Sequence, residues 1–264
     1  MTIEVPSTNP LLAKLRVIDG ITVRLPSRGL LYEPGVLHED VVDGEIRVFP
    51  MTTRDEILLR SADGLFGGST IEQVFSRCVP QVLAPKELFF NDIDYIMVAL
   101  RQVSYGEEMQ IEYKHACESA KEHSYVVRVD TFLKNSKEID PMLVTDTFTV
   151  LLPSSQEVKL RPIRLVDMMR ILQPPTTTEL TPQQAEEEMM RLYMAQIYSV
   201  DGVTDVEMIY EWMRELPTMY IKIIRQKIAD SAEWGVTYSQ EITCRDCGEV
   251  VSISTPINPV TFFT

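Results

Sequence analysis

Few residues of this chain carry chemistry, and one spacing among them is specific. Cys244-Arg245-Asp246-Cys247-Gly248 sets two thiols three residues apart, with a glycine directly after the second. Two thiolates at this spacing chelate one tetrahedral soft ion, and glycine lets the backbone turn tightly beneath them. A structural site needs four ligands. The segment that can supply the rest is His115-Ala116-Cys117-Glu118-Ser119-Ala120, with His123 close behind it. Where a second Cys-x-x-Cys would stand, the chain has Cys117 and then Ala120. The candidate metal ligands are therefore Cys244, Cys247, Cys117 and His115, with zinc as the ion. His123 could complete the three-cysteine set in place of His115. A decayed knuckle that folds without metal fits the same residues. A redox pair fits less well: a reactive Cys-x-x-Cys opens a helix, whereas residues 249–254 read as a strand.

Other chemistry is sparse. His38, His115 and His123 are the three histidines, and no Ser/His/Asp arrangement stands out. Gly67-Gly68 lacks the Gly-Lys-Ser/Thr of a phosphate loop. Carboxylates are abundant but unpatterned, so no acid/base pair can be named. The expectation is a protein without catalytic residues. Cys78 sits among apolar neighbours and reads as a buried, inert thiol. Arg101 and Asp94 lie on a strongly periodic helix, where solvated or cap-pairing roles are the commoner ones.

The elements that must position the cysteines include a module that occurs twice. Residues 23–27 end in Leu25-Pro26-Ser27, and an alternating strand then runs to Pro50, followed by a helix holding Asp55. Residues 150–154 end in Leu152-Pro153-Ser154, and a second alternating strand runs to Pro162, followed by a helix holding Asp167. Repetition fixes architecture, and nothing in either copy is reactive. The first copy carries a longer connection, residues 29–44, which is either a contact surface or a plain hairpin loop. The fold class expected is α+β: two related β-β-α modules, a helical segment and a C-terminal zinc-ribbon-like hairpin. In outline, residues 1–20 form an arm and 21–172 an α+β domain, with repeat copies at about 21–63 and 147–172. Residues 173–180 form a proline-threonine linker, and 181–232 a helical segment. Residues 233–264 form the hairpin, packing on strands within 107–130, with Phe262-Phe263 tucked into this domain or a neighbouring subunit.

Composition narrows the function classes. The 264 residues carry 39 acidic against 25 basic side chains, a formal net charge of -14. Such a surface repels phosphate backbones, so nucleic acid is a poor partner and a basic protein surface a good one. The residues around Cys244 (Glu241, Arg245, Asp246 and Glu249) are not basic either, which disfavours a zinc-ribbon regulator of nucleic acid. No apolar run approaches the ~18 residues of a membrane span. No secretory leader is evident at the N-terminus, and four cysteines are too few for a disulfide scaffold, so a reducing compartment is expected.

Several segments in order resemble the baseplate hub family of T-even-like contractile bacteriophages and its hub-assembly relative. They are residues 23–29, 48–56 and 94–106, the Leu-Pro-Ser module at 150–160, and Cys244-Arg245-Asp246-Cys247-Gly248 with the terminal Phe262-Phe263. The resemblance implies a virion structural protein of the tail baseplate, assembled in the host cytoplasm. It implies other baseplate and tail proteins as partners in a hetero-oligomeric assembly, and no catalytic residues. The alternative within the family is a hub-assembly chaperone absent from the mature particle. Family members tend to carry paired cysteine knuckles, from which Ala120 departs.

Overall fold

Two hairpins, each closed by a Leu-Pro-Ser turn, organise the chain. The computed structural model describes residues 19–60, 68–117, 121–171 and 181–254. The arm up to residue 18, Ala120, the 173–180 linker and Phe262-Phe263 lie outside the described residues. In the first module β1 (Ile21–Arg24) pairs antiparallel with β2 (Glu45–Val48), Val23 opposite Ile46. In the second, β5 (Thr149–Leu151) pairs antiparallel with β6 (Glu157–Leu160), Val150 opposite Val158. Ile46 and Val48 turn into one core, and Val158 and Leu160 into another, with the intervening residues exposed. This is the period-2 pattern of half-buried strands.

The likeness extends to individual hydrogen bonds. The Leu25 amide donates to the Gly44 carbonyl at 2.9 Å, and the Leu152 amide to the Gln156 carbonyl at 2.9 Å. Arg28 and Ser155 donate back to the Leu25 and Leu152 carbonyls, each at 2.8 Å, and both adopt left-handed φ (56° and 65°). A helix follows each hairpin, α1 (Thr53–Arg60) and α6 (Leu165–Ile171). Asp55 and Asp167 are the third residues of these helices. Their carboxylates accept the backbone amides of Thr52 (2.9 Å) and Arg164 (3.4 Å). A carboxylate there satisfies an orphan donor and complements the helix dipole. Both are buried beside a guanidinium, Arg77 Nε at 2.6 Å and Arg164 Nε at 2.8 Å. The two β-β-α modules are related down to their caps.

The first core gathers Leu25, Ile46 and Val48 with Phe75 of α2 (Gly68–Cys78) and Ile93, Ile96, Met97 and Leu100 of α3 (Phe90–Tyr105). Each such side chain stabilises by about 1.5–3 kcal/mol relative to exposure. Two hairpins close it, β3 (Glu108–Lys114) with β4 (Glu122–Arg128), and β8 (Ser239–Thr243) with β9 (Val250–Ser254). α4 (Val129–Lys134) adds Phe132. Cys78 is buried here, and burial pushes its thiol up to about 12, which leaves it inert.

The second core holds Leu152, Val158 and Leu160 with Phe148 of α5 (Val144–Phe148) and Met190 of α7 (Pro182–Met194). Ile209 and Met213 of α8 (Val206–Arg214), Ile224 of α9 (Thr218–Asp230) and Trp234 complete it. The helical segment expected over 181–232 holds three helices and also a strand. β7 (Ile197–Val200) interrupts the helices and pairs antiparallel with β6, making a three-stranded sheet. Four residues were too short a run to oppose the flanking helical periodicity, and the strand exists because β6 offers an edge.

Of the two roles expected for Arg101, solvated or cap-pairing, the structure shows the second. The residue is buried, and its guanidinium donates to the Gly106 (3.5 Å) and Glu108 (3.3 Å) carbonyls while covering the Tyr105 ring at 4.8 Å. It ties the end of α3 to the start of β3. The 29–44 excursion is mostly exposed but anchored to the body of the protein at a few points. Val36 is buried, Leu37 bridges to Val82, and Tyr32 stacks on Phe89 with ring centroids 4.2 Å apart. The Tyr32 hydroxyl donates to Asp92 at 2.7 Å and accepts the Phe89 amide at 2.9 Å. Asp92, fully buried, also accepts the Ser27 amide (3.0 Å) and the Ser27 hydroxyl. This carboxylate fastens the first Leu-Pro-Ser turn to α3.

Candidate metal centre

Register brings the sulfur ligands to matching ends of two hairpins. β3 and β4 pair without interruption from Glu108–Arg128 to Lys114–Glu122, so His115 and Cys117 follow directly beyond the last pair. β8 and β9 pair from Ser239–Ser254 to Thr243–Val250, so Cys244 follows the last paired residue of β8. The turn beyond is closed by the Cys244 amide on the Glu249 carbonyl (2.8 Å) and the Gly248 amide on the Cys244 carbonyl (2.9 Å). Gly248 holds a φ of +77°, a left-handed conformation that glycine enters without a Cβ penalty.

The hairpins pack on one another along their length. Ile242 and Ile253 enter the first core with Met109, Tyr125 and Val127. The Gln240 side-chain amide donates to the Arg128 carbonyl at 2.6 Å. The Arg245 amide donates to the Tyr125 hydroxyl at 3.2 Å, and its guanidinium lies 5.3 Å from the centre of that ring. His123 Nε2 lies 2.9 Å from Asp246 Oδ2. These contacts fix the end of one hairpin against the end of the other.

There, one donor atom from each of His115, Cys117, Cys244 and Cys247 lies within 4.8 Å of all the others. His115 Nδ1 and Cys247 Sγ are 3.4 Å apart. His115 Nε2 faces outward to Glu249 Oε2 at 3.9 Å. All four candidate ligands therefore meet, whereas His123 is held by Asp246 and stands apart from the set. Cys244 is buried and Cys247 exposed, so the cluster opens at the surface. Hydrogen bonds from the Cys247 and Asp246 amides bring the Cys244 thiol down to about 6, and contacts with Cys247 and His115 add to this. The Glu249 amide favours a Cys247 thiolate as well. Desolvation and the neighbouring Cys244 and Cys117 sulfurs outweigh it and leave Cys247 above its ordinary value.

The set is three soft sulfurs and one imidazole, the donor chemistry of a closed tetrahedral zinc site. Bond lengths of about 2.3 Å to sulfur and 2.0–2.1 Å to nitrogen give tetrahedral edges of about 3.5–3.8 Å. The histidine–Cys247 distance is already close to an edge, and the widest separation has about 1 Å to close.

A cleft of about 360 Å³ lies between the modules, lined by Tyr32, Phe89, Phe148, Arg161 and Arg164 among others. Its arginines are engaged: Arg164 meets Glu87 at 2.5 Å and Asp167 at 2.8 Å, and Arg161 Nε donates to the Ala195 carbonyl at 3.0 Å. Sequence reasoning found neither this cleft nor the outer contact of Glu249.

The family model described as T4 bacteriophage base plate protein matches residues 34–264, which take in the cysteine cluster and the buried residues of both cores except Leu25. The chain belongs to that family. No curated protein and no solved structure matches it. As a member of the base plate family it is a bacteriophage baseplate protein, with other tail proteins as the natural class of partner. Among the described residues no helix is long and apolar enough to cross a membrane.

Proposed function

We propose that this baseplate protein is a structural subunit of the hub or inner baseplate. It holds neighbouring tail proteins and performs no chemical step of its own. The observation that carries the reading is the extent of the family match, which covers all of the second core's buried residues and all but Leu25 of the first core's. A second feature supports it. Large apolar side chains stand in water around the second core: Met142 is 92% exposed, Leu151 and Val206 68% each, and Met219 62%. Exposed apolar side chains of this size suit burial against partners. The net charge of -14 adds attraction for basic partner surfaces.

Mass spectrometry of intact, purified particles tests the reading. Presence of the chain in mature particles, at a fixed ratio to other baseplate proteins, supports a structural subunit. Presence in infected-cell lysate with absence from particles would replace it with an assembly factor. Met142→Glu and Val206→Glu should weaken co-purification with tail proteins while leaving the melting temperature within a degree or two.

A further inference from the structure

We infer that His115, Cys117, Cys244 and Cys247 form a structural zinc site that staples the last hairpin of the chain to β3–β4. Four arguments converge. The chain has four cysteines and three histidines, and three of those cysteines with one histidine meet in a single cluster. Chance burial would scatter them, as it does Cys78. The donor atoms already lie near tetrahedral edge lengths, with His115 Nδ1 and Cys247 Sγ at 3.4 Å. Four protein ligands leave no open position, which marks a closed, structural site rather than a catalytic one. His115 also turns its second nitrogen towards the exposed Glu249, 3.9 Å away; a hydrogen bond closed there would orient the imidazole toward a metal.

The attachment of the hairpin explains what the ion would do. β8 and β9 bury few side chains in the first core, chiefly Ile242 and Ile253 besides Cys244. Two buried apolar anchors and the polar contacts of Gln240, Arg245 and Asp246 hold this hairpin, and an isolated hairpin is marginal in water. Zinc would join Cys117 to Cys244 and Cys247 across more than a hundred residues of chain. Metal binding free energy then becomes folding free energy for this part of the molecule. Binding requires thiolates, so acid releases the ion.

The test uses the full chain, purified under reducing conditions and dialysed against metal-free buffer, with zinc counted by elemental mass spectrometry. The expected content is about one zinc per chain for wild type and for His123→Ala, because a closed site takes four ligands and His123 is not one of them. Cys117→Ser and His115→Ala should fall to near zero, and His115→Cys, which restores a fourth ligand, should keep the ion. Cobalt substitution of wild type should give the visible absorption of a tetrahedral thiolate site. A strong chelator should speed proteolysis of the last hairpin while leaving the first Leu-Pro-Ser module resistant. The idea is overturned if wild type, grown with ample zinc, carries none and takes up no cobalt. It is equally overturned if Cys117→Ser and His115→Ala both keep wild-type zinc. No phage partner enters the experiment, so its failure leaves the baseplate reading untouched.

Discussion

Asp92 offers a sharp test of the fold. It is fully buried at the start of α3, where the Ser27 amide, the Ser27 hydroxyl and the Tyr32 hydroxyl all donate to it. Burial pushes its carboxyl up from 3.8 to about 6, and the hydrogen bonds from Ser27 and Tyr32 only partly oppose this. Between these values the folded chain still holds a proton that the unfolded chain has released. Native protein binds more protons than unfolded protein there, so stability falls as pH rises from about 4 to about 6 and is level above. The gap is worth about 3 kcal/mol. Asp92→Asn removes that titration. The substituted amide offers one acceptor where three donors point, so the variant should be less stable by about 1–3 kcal/mol at pH 4. The decisive quantity is the difference between wild type and variant across pH, measured by urea unfolding. The variant's deficit should fall by about 2 kcal/mol between pH 4 and pH 7, less than the full gap because the unfolded carboxyl is already largely ionised at pH 4. Asp94, raised to about 7 by burial, and Asp130, lowered to about 2, titrate in both proteins and cancel. The nearby phenol of Tyr95 stays neutral throughout this range, since its own value is raised above 10.0. Parallel stability curves for the two proteins would refute the account of a strained, desolvated carboxylate.

Other outcomes follow from single positions. Gly44 has a φ of +71°, and a Cβ there would lie 2.6 Å from the Arg28 carbonyl carbon, so Gly44→Ala should cost at least about 2 kcal/mol by urea unfolding. Gly35, with a φ of +90° and no atom within 4 Å of an added Cβ, should lose only about 1 kcal/mol on the same change. Asp130 is lowered to about 2 by Arg128 and then Lys134, so its contribution is present above pH 4 and lost as pH falls toward 2. Asp130→Asn should therefore lose less stability than wild type over that acid range, as seen by circular dichroism.

Legibility in the sequence tracked locality. The two modules could be read because Leu-Pro-Ser, the alternating strand and the helix-opening aspartate fall within short windows of each copy. The caps at Asp55 and Asp167 use amides only three residues away, so their local signal coincides with their structural role. The Asp92 centre gave no such signal. Its partners Ser27 and Tyr32 stand 65 and 60 residues distant, and each alone reads as an ordinary turn or loop residue. Arg101 was only partly legible for a related reason. Its periodic position was plain, but the two carbonyls that make burial tolerable belong to the loop and strand beyond the helix. The cysteine cluster was half legible. Cys244 and Cys247 announce a ligand pair by spacing, whereas the selection of His115 over His123 depends on Asp246 holding the latter.

The two cores are joined through one dipeptide. Leu88 and Phe89 are adjacent in the chain, yet Leu88 is buried in the first core and Phe89 in the second. The Phe90 amide donates to the Ile163 carbonyl and the Leu165 amide to the Leu88 carbonyl, each at 2.9 Å, so this joint is also a backbone bridge between the two modules. Phe89 stacks on Tyr32 from the first module and meets Trp234 edge-on at 6.3 Å in the second. The Asn91 side-chain amide donates to the Trp234 carbonyl at 2.6 Å, and Gly235 beside it admits the close approach with a φ of +98°. Rotation of one core against the other would break all of these at once. The packing of Leu88 and Phe89, neighbours in the chain that enter different cores, therefore opposes such a rotation without any reactive group taking part.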